Sequence, residues 1–220
     1  MSSKRTGEPR NQCAGPFGAV YHFYIEREWL MRFIGRLVWG IDVSVVYASF
    51  AAIGAAGDGA TIIDIPCGGG VVFRALHPEQ DVRYLAGDIS ERMLERARRR
   101  AQELNLQQIE VLHADMLALP FEDATAELIV SYSGLHMLED PQRAVREMAR
   151  CLKPGGQLVG VTFLREGSRR QQTLFEQGHR QGHALPPARA DLERWLNEAG
   201  ILSATVAPDA GFAAFRGHKR

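Results

Sequence analysis

The stretch TIIDIPCGGG, residues 61–70, limits what this chain can fold into more than any other. A β-branched apolar run that meets no polar residue before an acid reads as a strand buried on both faces of a parallel sheet. The three glycines after it let the backbone turn sharply and come close to a ligand. Four further stretches read as strands: VRYLAGD (82–88), IEVLHAD (109–115), AELIVSYSG (126–134) and QLVGVTF (157–163). Helical patterns lie between them. VVFRAL (71–76) starts a helix that must be short, because His77 and Pro78 follow. ISERMLERARRRAQELN (89–105) offers Ser90 as cap and Met93, Ala97, Ala101 and Leu104 as a buried stripe. DPQRAVREMARCL (140–152) has Asp140 as cap and Pro141 at its first position, and KPGG stops it. The alternation predicts an α/β fold, a three-layer doubly wound and mostly parallel sheet. DLERWLNEAG (191–200) reads as a capped helix with Leu192, Trp195, Leu196 and Ala199 inward, and residues 203–217 as a closing antiparallel hairpin.

The regions outside this alternation have other characters. Residues 1–16 are polar and basic and are expected to form a disordered tail. Residues 17–57 carry Phe17, Tyr21, Phe23, Tyr24, Trp29, Phe33 and Trp39 among charges and predict an N-terminal helical lid. Its second helix is expected to start at a capping Asp42 and to align Val43, Val46, Tyr47, Phe50 and Ile53 on one face. The apolar stretch 37–57 is long enough to raise a membrane span, but Asp42 interrupts it and a glycine loop follows, so a buried helix is expected. Residues 58–220 are expected to form the binding domain, with 165–190 as a variable, polar, substrate-side segment.

Composition narrows the partners. With 45% hydrophobic and 24% charged residues, the chain can bury a sizeable core. Its 26 basic and 26 acidic residues balance, so it lacks the basic footprint of a nucleic-acid binder. Cys13, Cys67 and Cys151 form no close pair, which points away from a metal site or disulfide framework and toward a cytoplasmic protein. A monomer or homodimer acting on a small molecule, with no membrane span, is expected.

Ligands of open α/β sheets bind at the carboxyl ends of the strands. Asp64, Asp88 and Asp115 each stand at such an end. An ionised carboxylate only accepts hydrogen bonds, so the three suit a ligand that donates. Asp88 follows Asp64 at the spacing of an acid that grips ribose hydroxyls. The dinucleotide fingerprint G-x-G-x-x-G fails, because Phe73 stands where its last glycine should be. The phosphate-binding loop fails too, for want of a lysine after the glycines.

The segments IIDIPCGGG, YLAGDISERMLERAR, VLHADMLALPFED, AELIVSYSGLHMLEDP and EMARCLKPGGQLV, in this order, resemble the class I S-adenosylmethionine-dependent methyltransferases. The subgroup they most resemble contains the ubiquinone and menaquinone methyltransferases. The resemblance covers 61–163 well and 191–216 loosely. It implies a Rossmann-like methyltransferase fold and S-adenosyl-L-methionine as cofactor, with S-adenosyl-L-homocysteine as product. It also implies the residues that hold them. The loop Pro66, Cys67, Gly68 and Gly70 would pass the methionine half, with Asp64 near the ammonium. Asp88 would take the ribose hydroxyls, while Ile89 and Met93 would lie by the adenosine and Asp115 and Met116 by the adenine amino group. Ser131 and Tyr132 would line the pocket near the sulfonium. Where the family usually has glycine, this chain has Pro66, which has no N–H to donate, so Gly68 and Gly70 must supply the close approach.

The implied activity is methyl transfer to a small apolar or aromatic acceptor by in-line displacement. His136, His22 and Tyr24 are the candidate bases. A macromolecular acceptor would call for an [DNS]-P-P-[YFW] tetrad after the fourth strand in a base N-methylating enzyme, and SYSG stands there instead. A protein that binds the cofactor without catalysis is the alternative from another class.

Overall fold

A computed structural model of the chain describes residues 46, 49–209 and 211–220. The expected tail, most of the expected lid, and with them His22, Tyr24, Asp42, Val43, Tyr47 and Cys13 lie outside the described residues.

The strands are β1 (Ala60–Asp64), β2 (Val82–Asp88), β3 (Ile109–His113), β4 (Ala126–Tyr132), β5 (Leu152–Phe163), β6 (Ile201–Asp209) and β7 (Phe212–Lys219). They form one sheet in the order β3-β2-β1-β4-β5-β7-β6. The first five are parallel to one another, and β7 runs antiparallel to both β5 and β6. The chain leaves β1 toward β2 on one side and returns past it to β4 on the other. This switch opens a crevice above the carboxyl ends of β1 and β4, where such sheets bind ligands.

Alternation along the strands sorts the core into two layers. Ile63, Leu85, Ile129 and Leu158 face one way and bury against α3 (Pro141–Cys151) and α5 (Arg189–Glu198). Ile62, Tyr84, Ala86, Val130 and Val159 face the other way, against α2 (Glu91–Glu103) and the residues around α1 (Ala51–Gly54). Val46, Phe50 and Ile53 all pack on this second face, as their helical spacing predicts. The short helix after β1 is a 3-10 turn over Val71–Ala75.

Two helix ends differ from the sequence reading. The stripe of α2 is Met93, Leu94, Ala97 and Ala101, while Leu104 stands 39% exposed. Helix α2 ends at Glu103, and Asn105 takes a φ of 54°. Leu106 N–H then returns to the Ala101 carbonyl at 2.9 Å, in the manner of a Schellman turn. Leu106, not Leu104, therefore closes the core beneath the helix. Helix α5 starts two residues before the expected Asp191, at Arg189. Ala188 precedes it and supplies no side-chain cap; the Glu166 carboxylate takes the Arg189 N–H at 2.9 Å instead. Helix α3 starts as read, with Asp140 Oδ1 accepting from Arg143 N–H at 2.9 Å and Pro141 in its first turn.

The polar segment 165–190 contains a helix that its composition hides, α4 (Arg169–Arg180). Ser168 and Gln171 close a capping box at its start, and Gln171 is 1% exposed. The segment is tied down at its base, where Leu164 N–H meets the Gly211 carbonyl at 2.8 Å and Arg165 N–H meets that of Pro187 at 2.9 Å. Among the described residues no helix is long and apolar enough to cross a membrane.

Candidate functional site

The crevice is built around Asp64. As the last residue of β1, its side chain follows Ile62 onto the second face and is completely buried. Tyr84 on β2, also completely buried, donates its hydroxyl to Asp64 Oδ2 at 3.0 Å. Among the described residues Asp64 Oδ1 has no hydrogen-bond partner. Burial, reinforced by the nearby charge of Asp88 and opposed by the Tyr84 hydrogen bond, pushes the Asp64 carboxyl up to about 8. A buried carboxylate short of one partner is costly to keep, so Oδ1 marks a place for a donor or a cation.

Asp88 ends β2 on the same face. Its Oδ2 accepts from Gly68 N–H at 2.9 Å and its Oδ1 from Ser90 N–H at 2.8 Å. The carboxylate thus pins the glycine turn to the start of α2. Burial raises its proton affinity against these donors. The Ile89 backbone N–H also favours the carboxylate, whose remaining lone-pair capacity is left for a ligand's donors. Gly68 and Gly70 hold φ of 52° and 73°, which glycine adopts without cost. A Cβ on Gly70 would meet Phe73 Cε2 at 2.5 Å. Cys67 is buried between the two acids, its N–H on the Gly87 carbonyl at 2.8 Å and its thiol pushed up by burial and by their charges.

The remaining positions surround this centre. Ile89 is 45% exposed, an apolar side chain left open beside Asp88. Asp115 folds its Oδ1 onto Leu117 N–H at 2.8 Å, with the buried Met116 between them. Pro66 has no N–H, and the turn is held instead by Cys67 N–H and by the Asp88–Gly68 bond. Gly134 leaves the space that Pro66 fills: a Cβ there would overlap Pro66 Cδ and lie 3.0 Å from Met116 Sδ. Met93 is buried in the first turn of α2.

Ser131 and Tyr132 do not converge. Adjacent strand residues point to opposite faces, so Ser131 shares the side of Ile129, with its Oγ buried and without a partner among the described residues. Tyr132 shares the side of Asp64. It packs edge-on to Phe50 at 5.1 Å and accepts from Ser49 Oγ at 3.2 Å, and burial raises its phenol.

His136 lies in the 3-10 turn Leu135–Met137, just beyond β4. Its ring meets Phe163 edge-on at 4.9 Å, and Phe163 meets Phe175 at 5.9 Å and Phe212 at 5.1 Å in the same manner. Phe163 at the end of β5, Phe175 within α4 and Phe212 at the start of β7 so give an aromatic wall beside the crevice. His136 Nδ1 is buried and has no partner among the described residues, and burial lowers the imidazole to about 4. The ring is neutral at physiological pH, and as a proton acceptor it is weak.

Sequence reasoning missed Tyr84, Phe163, Phe175 and Phe212. Tyr84 left one signal: a tyrosine inside a strand that is otherwise apolar must find a partner for its hydroxyl. The wall left none, since its members lie far apart in the chain.

The methyltransferase-domain family matches residues 63–160, from β1 through most of β5. Over those residues the chain is similar to a methyltransferase domain. A demethylmenaquinone methyltransferase of Listeria welshimeri is 35% identical to it over 107 residues, 47% of this chain and 44% of that protein. The chain thus spans less than half the length of that relative. The YcgJ protein of Bacillus subtilis shares the domain's fold with a TM-score of 0.66 at 17% identity, over 79% of this chain and 99% of that one. A geranyl diphosphate C-methyltransferase of Streptomyces coelicolor, solved with S-adenosyl-L-homocysteine, superposes with a TM-score of 0.65 at 16% identity, over 80% and 76%. The matched region ends within β5, the last parallel strand, and the antiparallel β6–β7 pair completes the sheet as the sequence reading expected.

Proposed function

We propose that this protein transfers a methyl group from S-adenosyl-L-methionine to a small apolar or aromatic acceptor. One observation carries the reading: a fully buried carboxylate, Asp64, with one oxygen unpartnered among the described residues, sits beside a second carboxylate on a glycine turn. That donor-poor, acid-rich crevice fits a ligand that is cationic at one end and bears sugar hydroxyls in the middle. It does not fit a pyrophosphate, which needs donors where these two side chains offer chiefly acceptors.

In this reading Asp64 Oδ1 answers the ammonium, and Asp88 receives the ribose hydroxyls on its free lone pairs. Ile89 covers one face of the adenine, and Asp115, with the Met116 backbone, accepts from its amino group. Tyr132, Cys67 and the turn Gly68–Gly70 line the methionine half, with Met93 behind the turn. Ser131 is set aside from this group, because its side chain points to the other face. The cofactor supplies an already activated methyl on a sulfonium. The chain therefore has to align the acceptor and exclude water. The aromatic wall of Phe163, Phe175 and Phe212 supports a flat, apolar acceptor, as does the quinone named for the Listeria relative.

His136 serves as a neutral hydrogen-bond acceptor that orients the acceptor's hydroxyl. Replacing His136 with Ala is expected to lower kcat about tenfold and to leave S-adenosyl-L-homocysteine affinity unchanged. Since burial depresses this imidazole to about 4, it stays uncharged as pH falls from 8 to 5, and kcat carries no histidine limb there. A limb between pH 6 and 7 that the substitution removes would overturn this role.

The reading is tested by incubating the protein with S-adenosyl-L-methionine and a set of quinols, phenols and polyprenyl compounds. Mass spectrometry should find a product heavier by one CH2 unit. Cofactor binding with no product from any acceptor class would favour a protein that binds without catalysis.

A further inference from the structure

We infer that Tyr84 is a positioning residue, whose hydroxyl selects Asp64 Oδ1 as the oxygen that meets the ligand's cation and eases the loss of the proton that leaves Asp64 as the ligand binds. The inference rests on the cofactor reading above. It starts from a contact that no glycine-loop motif contains. Tyr84 stands in the middle of β2, paired in register with Ile62 of β1, two residues before Asp64. Its ring is locked edge-on against Phe73 at 5.6 Å. From there its hydroxyl reaches Asp64 Oδ2 at 3.0 Å with both groups completely buried. One carboxylate oxygen is so occupied, and the other, Oδ1, has no partner among the described residues.

The groups around Asp64 set its proton balance. Tyr84 and Asp88 face it from β2, Cys67 from the glycine turn and Tyr132 from β4. None of the four carries positive charge. Asp88 disfavours an ionised Asp64, and among the described residues the Tyr84 hydroxyl is the group that favours it. With its carboxyl near 8, Asp64 is mostly protonated in the free protein at pH 7. An ammonium held at Oδ1 favours the carboxylate and lowers that value. The proton must then leave as the ligand binds.

The sign follows from linkage. Affinity rises with pH while the free protein holds the proton that the complex lacks, about tenfold per pH unit, and it levels off once the free protein has lost it. For the unaltered protein that break falls near pH 8. Tyr84→Phe removes the hydroxyl that favours the ionised form, so the break moves up by about half a unit to one unit. At pH 7 the variant binds several-fold to about tenfold more weakly.

The experiment is calorimetric titration of the full chain with S-adenosyl-L-homocysteine from pH 6 to 9. It is run in two buffers of different ionisation enthalpy, which count the protons released. The unaltered protein should release nearly one proton at pH 7, Tyr84→Phe should shift the break upward, and Asp64→Asn should abolish the release. The ligand's own amino group titrates alike in all three and cancels in the comparison. A break unmoved in Tyr84→Phe overturns the positioning role. Absence of proton release from the unaltered protein overturns it too, and needs no variant to fold. If the unaltered protein binds no S-adenosyl-L-homocysteine at any pH, the cofactor reading itself falls.

Discussion

Asp88→Ala is expected to weaken S-adenosyl-L-homocysteine binding by at least about 100-fold. Two effects combine. The first is direct: hydrogen bonds from two ribose hydroxyls to a carboxylate are charge-assisted, at roughly 1.5–3 kcal/mol each, and their loss alone amounts to about two orders of magnitude or more. The second acts through the turn. Asp88 holds both Gly68 N–H and Ser90 N–H, so the variant frees the segment that must lie close to the ligand. Asp88→Asn separates the two effects. Its amide has one acceptor oxygen and so keeps at most one of the backbone bonds and part of the ribose contact; an intermediate loss is expected. Titration of both variants decides the matter. Affinity unchanged in Asp88→Ala would remove the ribose from this position.

The largest effect on stability is expected at Gly160, in the middle of β5. It pairs with Ser131 on β4 and with Phe215 on β7. A Cβ at Gly160 would overlap the tip of the Phe215 ring and the Ser131 carbonyl oxygen, and would stand 2.9 Å from Phe215 Cε1. Phe215 is 2% exposed and cannot swing out, and the Ser131 carbonyl belongs to the sheet backbone. Gly160→Ala should therefore cost about 3 kcal/mol by overpacking. For a chain of this size that lowers Tm by roughly 6–12 °C. Gly57→Ala is the control, because nothing lies within 4 Å of its Cβ position. Thermal unfolding of the pair, read by circular dichroism, should show a large drop for Gly160→Ala and little change for Gly57→Ala. Equal midpoints would contradict the packing described for β4, β5 and β7.

The two positions differ in how far the sequence discloses them. Asp88 was legible because local rules place it: a strand of apolar residues ends in an acid, at a set distance from a glycine turn. The same local rules found β1 through β5 and the start of α3, where Asp140 and Pro141 act within one turn. They failed where a distant partner decides. Helix α4 is polar on most of its surface, and its only buried polar anchor, Gln171, is recognisable only once the capping box with Ser168 is seen. The cap of α5 comes from Glu166, on the far side of α4. Leu104 was misassigned because helical periodicity was carried one residue past the end of α2, beyond which Asn105 reverses the chain.

The site shows the same division. The three acids and the glycines are read from the chain order alone. Ser131 and Tyr132, both expected to line the pocket, lie on opposite faces of β4, because side chains alternate along a strand. The aromatic wall joins Phe163, Phe175 and Phe212 from three elements, and no spacing announces it. Tyr84 looked like one more apolar residue of a buried strand until its hydroxyl was seen on Asp64.

The central claim is that carboxylates at the ends of β1 and β2 hold the two ends of an adenosyl amino acid. A crystal structure of the protein grown with S-adenosyl-L-homocysteine tests it most directly. The account predicts the amino group within hydrogen-bond reach of Asp64 Oδ1, directly or through one water, and the ribose hydroxyls on Asp88. Ligand density elsewhere, with both carboxylates left uncontacted, would contradict it.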